Sequence, residues 1–203
     1  MKFANPAPLG LFGFATTTWL LSMVNAGFLP ATSVPLVLAM AFAFGGTAQF
    51  AAGLMEMFKG NTFGFVAFCS YGAFWWSFAL FAKFFGDGVP GAAVGWYLIV
   101  WGVFTFAMWI GTFALNRALF LIFLALWITF LLLGLAPLTG IASLTTYGGY
   151  FGLSPPCSRP ISAPRKSSTK PTARASCQSA PAPDYPQGRA WGFPLARFPA
   201  KAN

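Results

Sequence analysis

Few side chains in this chain could do acid–base or ligand chemistry, and their scarcity is informative. Of 203 residues, 12 are Lys or Arg, 3 are Asp or Glu, and none is His. Before residue 150 the only carboxylates are Glu56 and Asp87. Without His, the commonest metal ligand and general base is missing, and most enzyme templates lose a member. The expectation is therefore no enzyme, no metal and no cofactor. Cys69, Cys157 and Cys177 form no even framework, and Cys69 sits in an apolar run as a packing residue. What remains is a set of neutral polar groups inside apolar runs: Thr16, Thr17, Thr18, Asn25, Thr47, Gln49, Ser70, Tyr71 and Ser77. Hydroxyls and amides of this kind can hydrogen-bond a small passing solute. Of the two carboxylates, Asp87 stands in a Gly/Pro turn and is solvated. Glu56 lies three residues before Lys59, which suits an interfacial i,i+3 pair; a proton carrier is the rival role.

These groups must be positioned by membrane helices. Charged residues are 7% of the chain, against about 25% in soluble domains, and apolar residues are 57%. No charge occurs between Lys2 and Glu56, a run too long for a signal peptide. Five apolar stretches reach the ~20 residues that cross a bilayer: Leu9–Gly27, Val34–Met55, Phe63–Ala82, Ala92–Phe113 and Ala118–Ala136. Turn chemistry marks each break: Pro30 and Pro35, then Lys59-Gly60-Asn61, then Gly86 to Gly91, then Asn116-Arg117. A sixth apolar run starts near Ile141 and stops at Ser154-Pro155-Pro156, too short to cross. The expected fold is an all-α polytopic bundle over residues 1–153, with five full spans and a truncated sixth. Along the second span, Ala41, Gly45, Ala48 and Ala52 form a small-residue stripe, suited to packing within the chain or between subunits.

Lys2, Lys59 and Arg117 fall at the amino terminus and in alternate loops, so the positive-inside rule places the amino terminus in the cytoplasm. Residues 1–150 carry a net charge of +2 and residues 151–203 a net of +7. The basic character therefore belongs to the tail, and the body offers nucleic acid no footprint. Five crossings would leave that tail outside, against the same rule. From Ser154 the chain turns Pro-, Ser- and Arg-rich, with 10 Pro in 50 residues. One reading is a disordered tail over 154–203. The preferred one is a change of reading frame. With third codon bases left free, reading Ala163–Pro181 one base earlier admits Ala-Ala-Glu-Val-Ile-Asn-Glu-Ala-Tyr-Gly, then one unspecified residue, then Arg-Val-Leu-Pro-Val-Gly-Ala.

The start reads Asn5-Pro6-Ala7-Pro8-Leu9-Gly10-Leu11, followed by Phe12-Gly13-Phe14. Further on stand Gly45-Gly46-Thr47-Ala48-Gln49, Lys59-Gly60-Asn61-Thr62-Phe63-Gly64, Ser70-Tyr71-Gly72-Ala73-Phe74-Trp75 and Trp101-Gly102-Val103-Phe104-Thr105. Together these blocks resemble the acetate uptake transporter family, the acetate/succinate–proton symporters with their fungal acetate and ammonia-export-linked relatives. The resemblance covers about residues 4–153. It implies a six-helix protomer in a hexamer, in the inner membrane. It also implies a hydrophobic constriction at the positions of Phe14, Tyr71 and Leu126, with Leu126 placed by its spacing from Arg117. The family's last helix ends in an Asn-Glu…Gly-Arg…Leu-Pro-Val-Gly segment that this chain lacks and the shifted frame comes close to restoring.

An anion path through such a body meets a charge problem. Burying a bare carboxylate in the membrane is costly, and the spans offer no mid-membrane Lys or Arg. Entry against an inside-negative potential adds about 2.3 kcal/mol per charge at 100 mV, which a co-transported proton removes. The expected function is thus proton-coupled uptake of acetate, with succinate or other short carboxylates as further substrates. Thr17, Asn25, Gln49 and Glu56 are the polar candidates along the path. Asn5, with Pro6 and Pro8 behind it, suits a cap on the first helix. The rivals are a passive channel for small solutes and an inactive, truncated transporter product. Expected partners are the substrate, protons, lipid and further copies of the chain.

Overall fold

In the computed structural model, which describes residues 4–154, five helices are long and apolar enough to cross a bilayer. They are α1 (Ala7–Asn25), α2 (Ala31–Phe58), α3 (Thr62–Phe85), α4 (Gly91–Ala114) and α5 (Arg117–Thr139). A sixth, α6 (Ser143–Gly152), has 10 residues. At 1.5 Å per residue it reaches about 15 Å, half the hydrocarbon core. The described residues contain no strand, so the all-α bundle with a short sixth helix is what forms. Both readings of the tail, disorder and frame change, fall on residues 155–203 and lie outside the described residues.

The helices run past the ends that hydropathy suggests, because backbone chemistry sets the boundaries. α1 starts at Ala7 rather than Leu9, directly after Pro6. α2 opens with a 3-10 turn at Ala31–Ser33 and becomes α-helical at Val34, so Pro35 belongs to the helix's first α-helical turn and not to the break before it. The first N–H groups of a helix have no acceptor within it, and Pro costs little there. α3 continues to Phe85 through a π turn (Phe81–Phe85), which takes Lys83 into the helix. Asn61 caps α3 by accepting from the Gly64 N–H at 3.1 Å, and Asn116 caps α5 by accepting from Leu119 at 2.9 Å. α5 passes Ala136 and ends at Thr139, where Gly140 turns left-handed with φ +72°.

The middle of α2, Ala41–Ala48, is wound as a π helix. Such turns leave carbonyls off the ordinary ladder. Here Thr47 Oγ1 donates to the Phe42 carbonyl at 2.8 Å. The small-residue stripe faces the rest of the chain: Ala41 and Ala52 are fully buried. A Cβ on Gly45 would stand 2.8 Å from Thr17 Oγ1 and 2.9 Å from Trp75 Cδ1. The stripe therefore serves packing within the chain.

Two kinds of seam hold the bundle. α1–α2, α2–α3 and α4–α5 bring backbones close at Gly13, Gly53 and Gly95, α6 packs on α5 with Gly148 against Leu133, and α6 returns to pack on α1. α3 meets α4 and α5 through large rings: Phe74 lies 5.2 Å from both Trp101 and Phe130, centroid to centroid.

Candidate functional site

Tyr71 is the centre of the ring-filled seam. It is 2% exposed, and its ring is 5.3 Å from Phe14 of α1, 5.5 Å from Phe104 of α4 and 6.0 Å from Phe123 of α5. Its hydroxyl donates to Thr105 Oγ1 at 3.0 Å, and Thr105 donates onward to the Trp101 carbonyl at 2.7 Å. The hydroxyl is satisfied without a solute, so the layer's inner surface is apolar. Leu126, one turn after Phe123, is buried in the same cluster, with Phe14 packed against it. Phe14 of α1 thus lies against Tyr71 of α3, and Leu126 of α5 is buried in the same hydrophobic cluster. Phe104, Phe123 and Thr105 contact Tyr71 too. Nothing in the sequence singles them out: Phe104 and Thr105 lie in the Trp101–Thr105 run, and Phe123 is one Phe among 25.

Next to the aromatic layer lies a polar one. Gln49 opens the α-helical part of α2 directly after the π turn. It is fully buried, and neither amide atom has a hydrogen-bond partner. A Cβ on Gly13, the residue before Phe14, would lie 3.3 Å from Gln49 Cβ. One turn along from Tyr71, the buried Trp75 also holds an unpartnered indole N–H. Thr17 is fully buried, but its hydroxyl donates back to the Gly13 carbonyl at 2.8 Å. Thr18 Oγ1 is buried with no partner. Buried amides and indole N–H groups are almost always satisfied in folded proteins, so this cluster has unspent donors and acceptors at membrane depth.

Asn25, Glu56 and Asn5 lie at helix ends. Asn25 is half-buried in the last turn of α1, where a Cβ on Gly149 of α6 would meet the Asn25–Ala26 backbone. Glu56, near the end of α2, is fully buried and bonded to Asn61. Asn5 is exposed and accepts from the Ala7 N–H at 3.3 Å, one position ahead of the residue that directly precedes the helix. Pro6 is buried, Ala7 half-buried, and Pro8 and Leu9 exposed. Gly10 is buried because a Cβ there would press into the Phe68 ring at 2.8 Å.

The described residues offer no group of three or more Cys, Asp or Glu side chains that could hold a metal. A family model described as the GPR1/FUN34/yaaH family matches residues 1–159. The chain is similar to the succinate-acetate/proton symporter SatP of Escherichia coli K12, with 44% identity over 156 residues, 75% of this chain and 82% of the relative. It is 43% identical over 161 residues to ammonia transport outward protein 2 of Saccharomyces cerevisiae, covering 75% of this chain but only 57% of that protein. Among solved structures, the bacterial acetate channel SatP matches with a TM-score of 0.70 and 42% identity, over 75% of this chain and 85% of the other. These relatives are transporters and a channel, and the chain is a multi-pass membrane protein belonging to the GPR1/FUN34/yaaH family.

Proposed function

We propose that this chain is a proton-coupled transporter of acetate, with succinate and other short carboxylates as further substrates. The observation that carries the reading is Gln49, an amide buried with both polar atoms unpartnered beside an apolar layer. A protonated carboxylic acid presents one O–H donor and one carbonyl acceptor along one edge. A primary amide presents the complement, so acid and amide can close two hydrogen bonds at once. An acetate anion has acceptors only and would face the Gln49 carbonyl. The site therefore suits the neutral acid, and passage as the acid carries one proton per molecule without moving net charge against the potential. Trp75 Nε1–H is a second donor one turn from Tyr71. The Phe14, Tyr71 and Leu126 layer then acts as the size filter, since apolar walls of this kind select by diameter. In this reading the amino terminus is cytoplasmic and the protomer works in a homo-oligomer, by resemblance a hexamer. The wide apolar exterior, with Phe12, Trp96, Val100 and Val103 each more than 60% exposed, supports burial against lipid or copies.

Two other readings have observations behind them. A passive channel is favoured by the likeness to the bacterial acetate channel. An inactive product is favoured by α6, whose 10 residues reach only about half the hydrocarbon core. Labelled acetate uptake into proteoliposomes separates all three, with protein-free vesicles as the baseline for acid crossing bare lipid. Proton-coupled transport gives saturable uptake that rises with an inward proton gradient and collapses with a protonophore. Uptake that follows concentration alone would establish the channel, and none above baseline would establish the inactive product.

A further inference from the structure

Where α1 starts, α2 ends and α3 starts, four side chains outside the aromatic layer form one connected polar chain. Glu56 is fully buried, two residues before the end of α2. Its Oε2 accepts from Asn61 Nδ2 at 2.7 Å, and its Oε1 lies 3.7 Å from Lys59 Nζ, the only ion pair among the described residues. Lys59 Nζ donates to Asn5 Oδ1 at 2.7 Å, and that oxygen also accepts the Ala7 N–H at 3.3 Å. Asn61 uses its other side-chain atom to cap α3. Gly60, with φ +74°, makes the turn between Lys59 and Asn61, and a Cβ on Gly64 would stand 3.2 Å from Glu56 Cγ.

Elsewhere α1 has no directional tie to the bundle. Thr16 and Thr17 donate to carbonyls of their own helix. Gly10 and Gly13 offer smooth surfaces to the Phe68 ring and the Phe44 carbonyl. Pro6 and Pro8 have no N–H to give. Among the described residues, the Lys59–Asn5 bond is the one side-chain hydrogen bond from the α1 region to another helix end. Phe14 lies seven residues after Ala7, about 10.5 Å along the helix. A slip of one residue at the start of α1 would therefore move the Phe14 ring by about 1.5 Å, the scale of a methyl group.

We infer that Asn5, Lys59, Glu56 and Asn61 form a clasp that fixes α1 along its axis, which makes Lys59 and Glu56 positioning residues for the width of the Phe14 constriction. This rests on the reading of Phe14, Tyr71 and Leu126 as the filter. Lys59 holds the clasp closed because it is pinned from two sides. The buried Glu56 carboxylate attracts the Lys59 charge, and one of the three ammonium N–H bonds of Lys59 donates to Asn5 across 54 residues of sequence.

The test uses the full chain in proteoliposomes as wild type, Lys59→Met, Lys59→Arg and the double variant Glu56→Gln/Lys59→Met. The double variant removes both charges, so it keeps the question open to experiment if Lys59→Met alone fails to fold. Two readouts are taken: hydrogen exchange of the Leu9–Phe14 amides, and the ratio of lactate to acetate in competition for uptake. Loss of one charge-assisted bond should speed exchange there by about tenfold or more. The same variants should raise the lactate-to-acetate ratio several-fold, and Lys59→Arg, whose guanidinium can reach both partners, should return both readouts toward wild type. Exchange and ratio both unchanged in a folded Lys59→Met or double variant would overturn the clasp. Faster exchange with an unchanged ratio would overturn its control of the filter. If no variant transports, wild type included, while exchange still responds, the transport reading fails and the clasp stands.

Discussion

The seams around α1 and α6 and the seam between α3 and its partners α4 and α5 are built on opposite principles. Around α1, glycines bring backbones together: a Cβ on Gly13 would stand 2.7 Å from the Phe44 carbonyl oxygen, and one on Gly149 would overlap the Ala26 backbone. At Gly13 and Gly149 no side chain can rotate to make room for a Cβ, because the facing atoms are backbone. Between α3 and α4–α5, rings at centroid distances of 5.2 to 6.3 Å keep the backbones apart. A ring can change rotamer without moving its helix. On the proposed function, the difference assigns the solute path to the seam that side chains close, not to the one that backbones close.

The tight seam breaks hardest. Gly149→Ala should cost about 3 kcal/mol or more, the upper end for overpacking, since neither backbone can yield. Thermal unfolding in detergent reads it. Gly111→Ala is the contrast, because its Cβ would meet the Phe63 ring at an ordinary 3.4 Å, and its Tm should stay close to wild type. A Gly149→Ala protein as stable as Gly111→Ala would dissolve the distinction between the seams. A smaller effect sharpens the other side. Gln49→Leu keeps the volume and removes an amide that has no protein partner, so stability should hold or rise by about 1 kcal/mol. Acetate uptake should fall by about tenfold or more, the usual scale for a lost polar contact to substrate. Lowered stability with full uptake would mean that Gln49 serves packing alone.

Much of this architecture is written in composition. Long uncharged runs between Pro, Gly and Asn breaks leave five spans as the only economical reading, and α6 is short because its apolar run is short. Glu56 and Lys59 are legible as a pair because helical spacing is local. The rest depends on contacts between distant segments. Nothing near Asn5 reveals that Lys59, 54 residues on, bonds it. Within the π turn of α2, Gly45 and Gly46 lie close against Thr17, Trp75 and Trp76, and hydropathy registers neither the winding nor the contacts. Phe104 and Phe123 look like any other Phe until Tyr71 is placed between them. Thr17 and Gln49 read alike as buried polar groups, and only the structure shows that Thr17 is satisfied by Gly13 whereas Gln49 is not.

The central claim is that substrate crosses at the ring-filled seam and is sized there. The direct measurement is labelled lactate uptake by two truncations of the same residue type, Leu126→Ala in the aromatic layer and Leu133→Ala, which packs on Gly148 in the α5–α6 seam. Both are compared as folded protein that still takes up acetate. Leu126→Ala should admit lactate, because the filter loses a side chain and no charge changes. Leu133→Ala should leave lactate excluded. Lactate entry through Leu133→Ala, or its continued exclusion by Leu126→Ala, would place the path elsewhere and contradict the account.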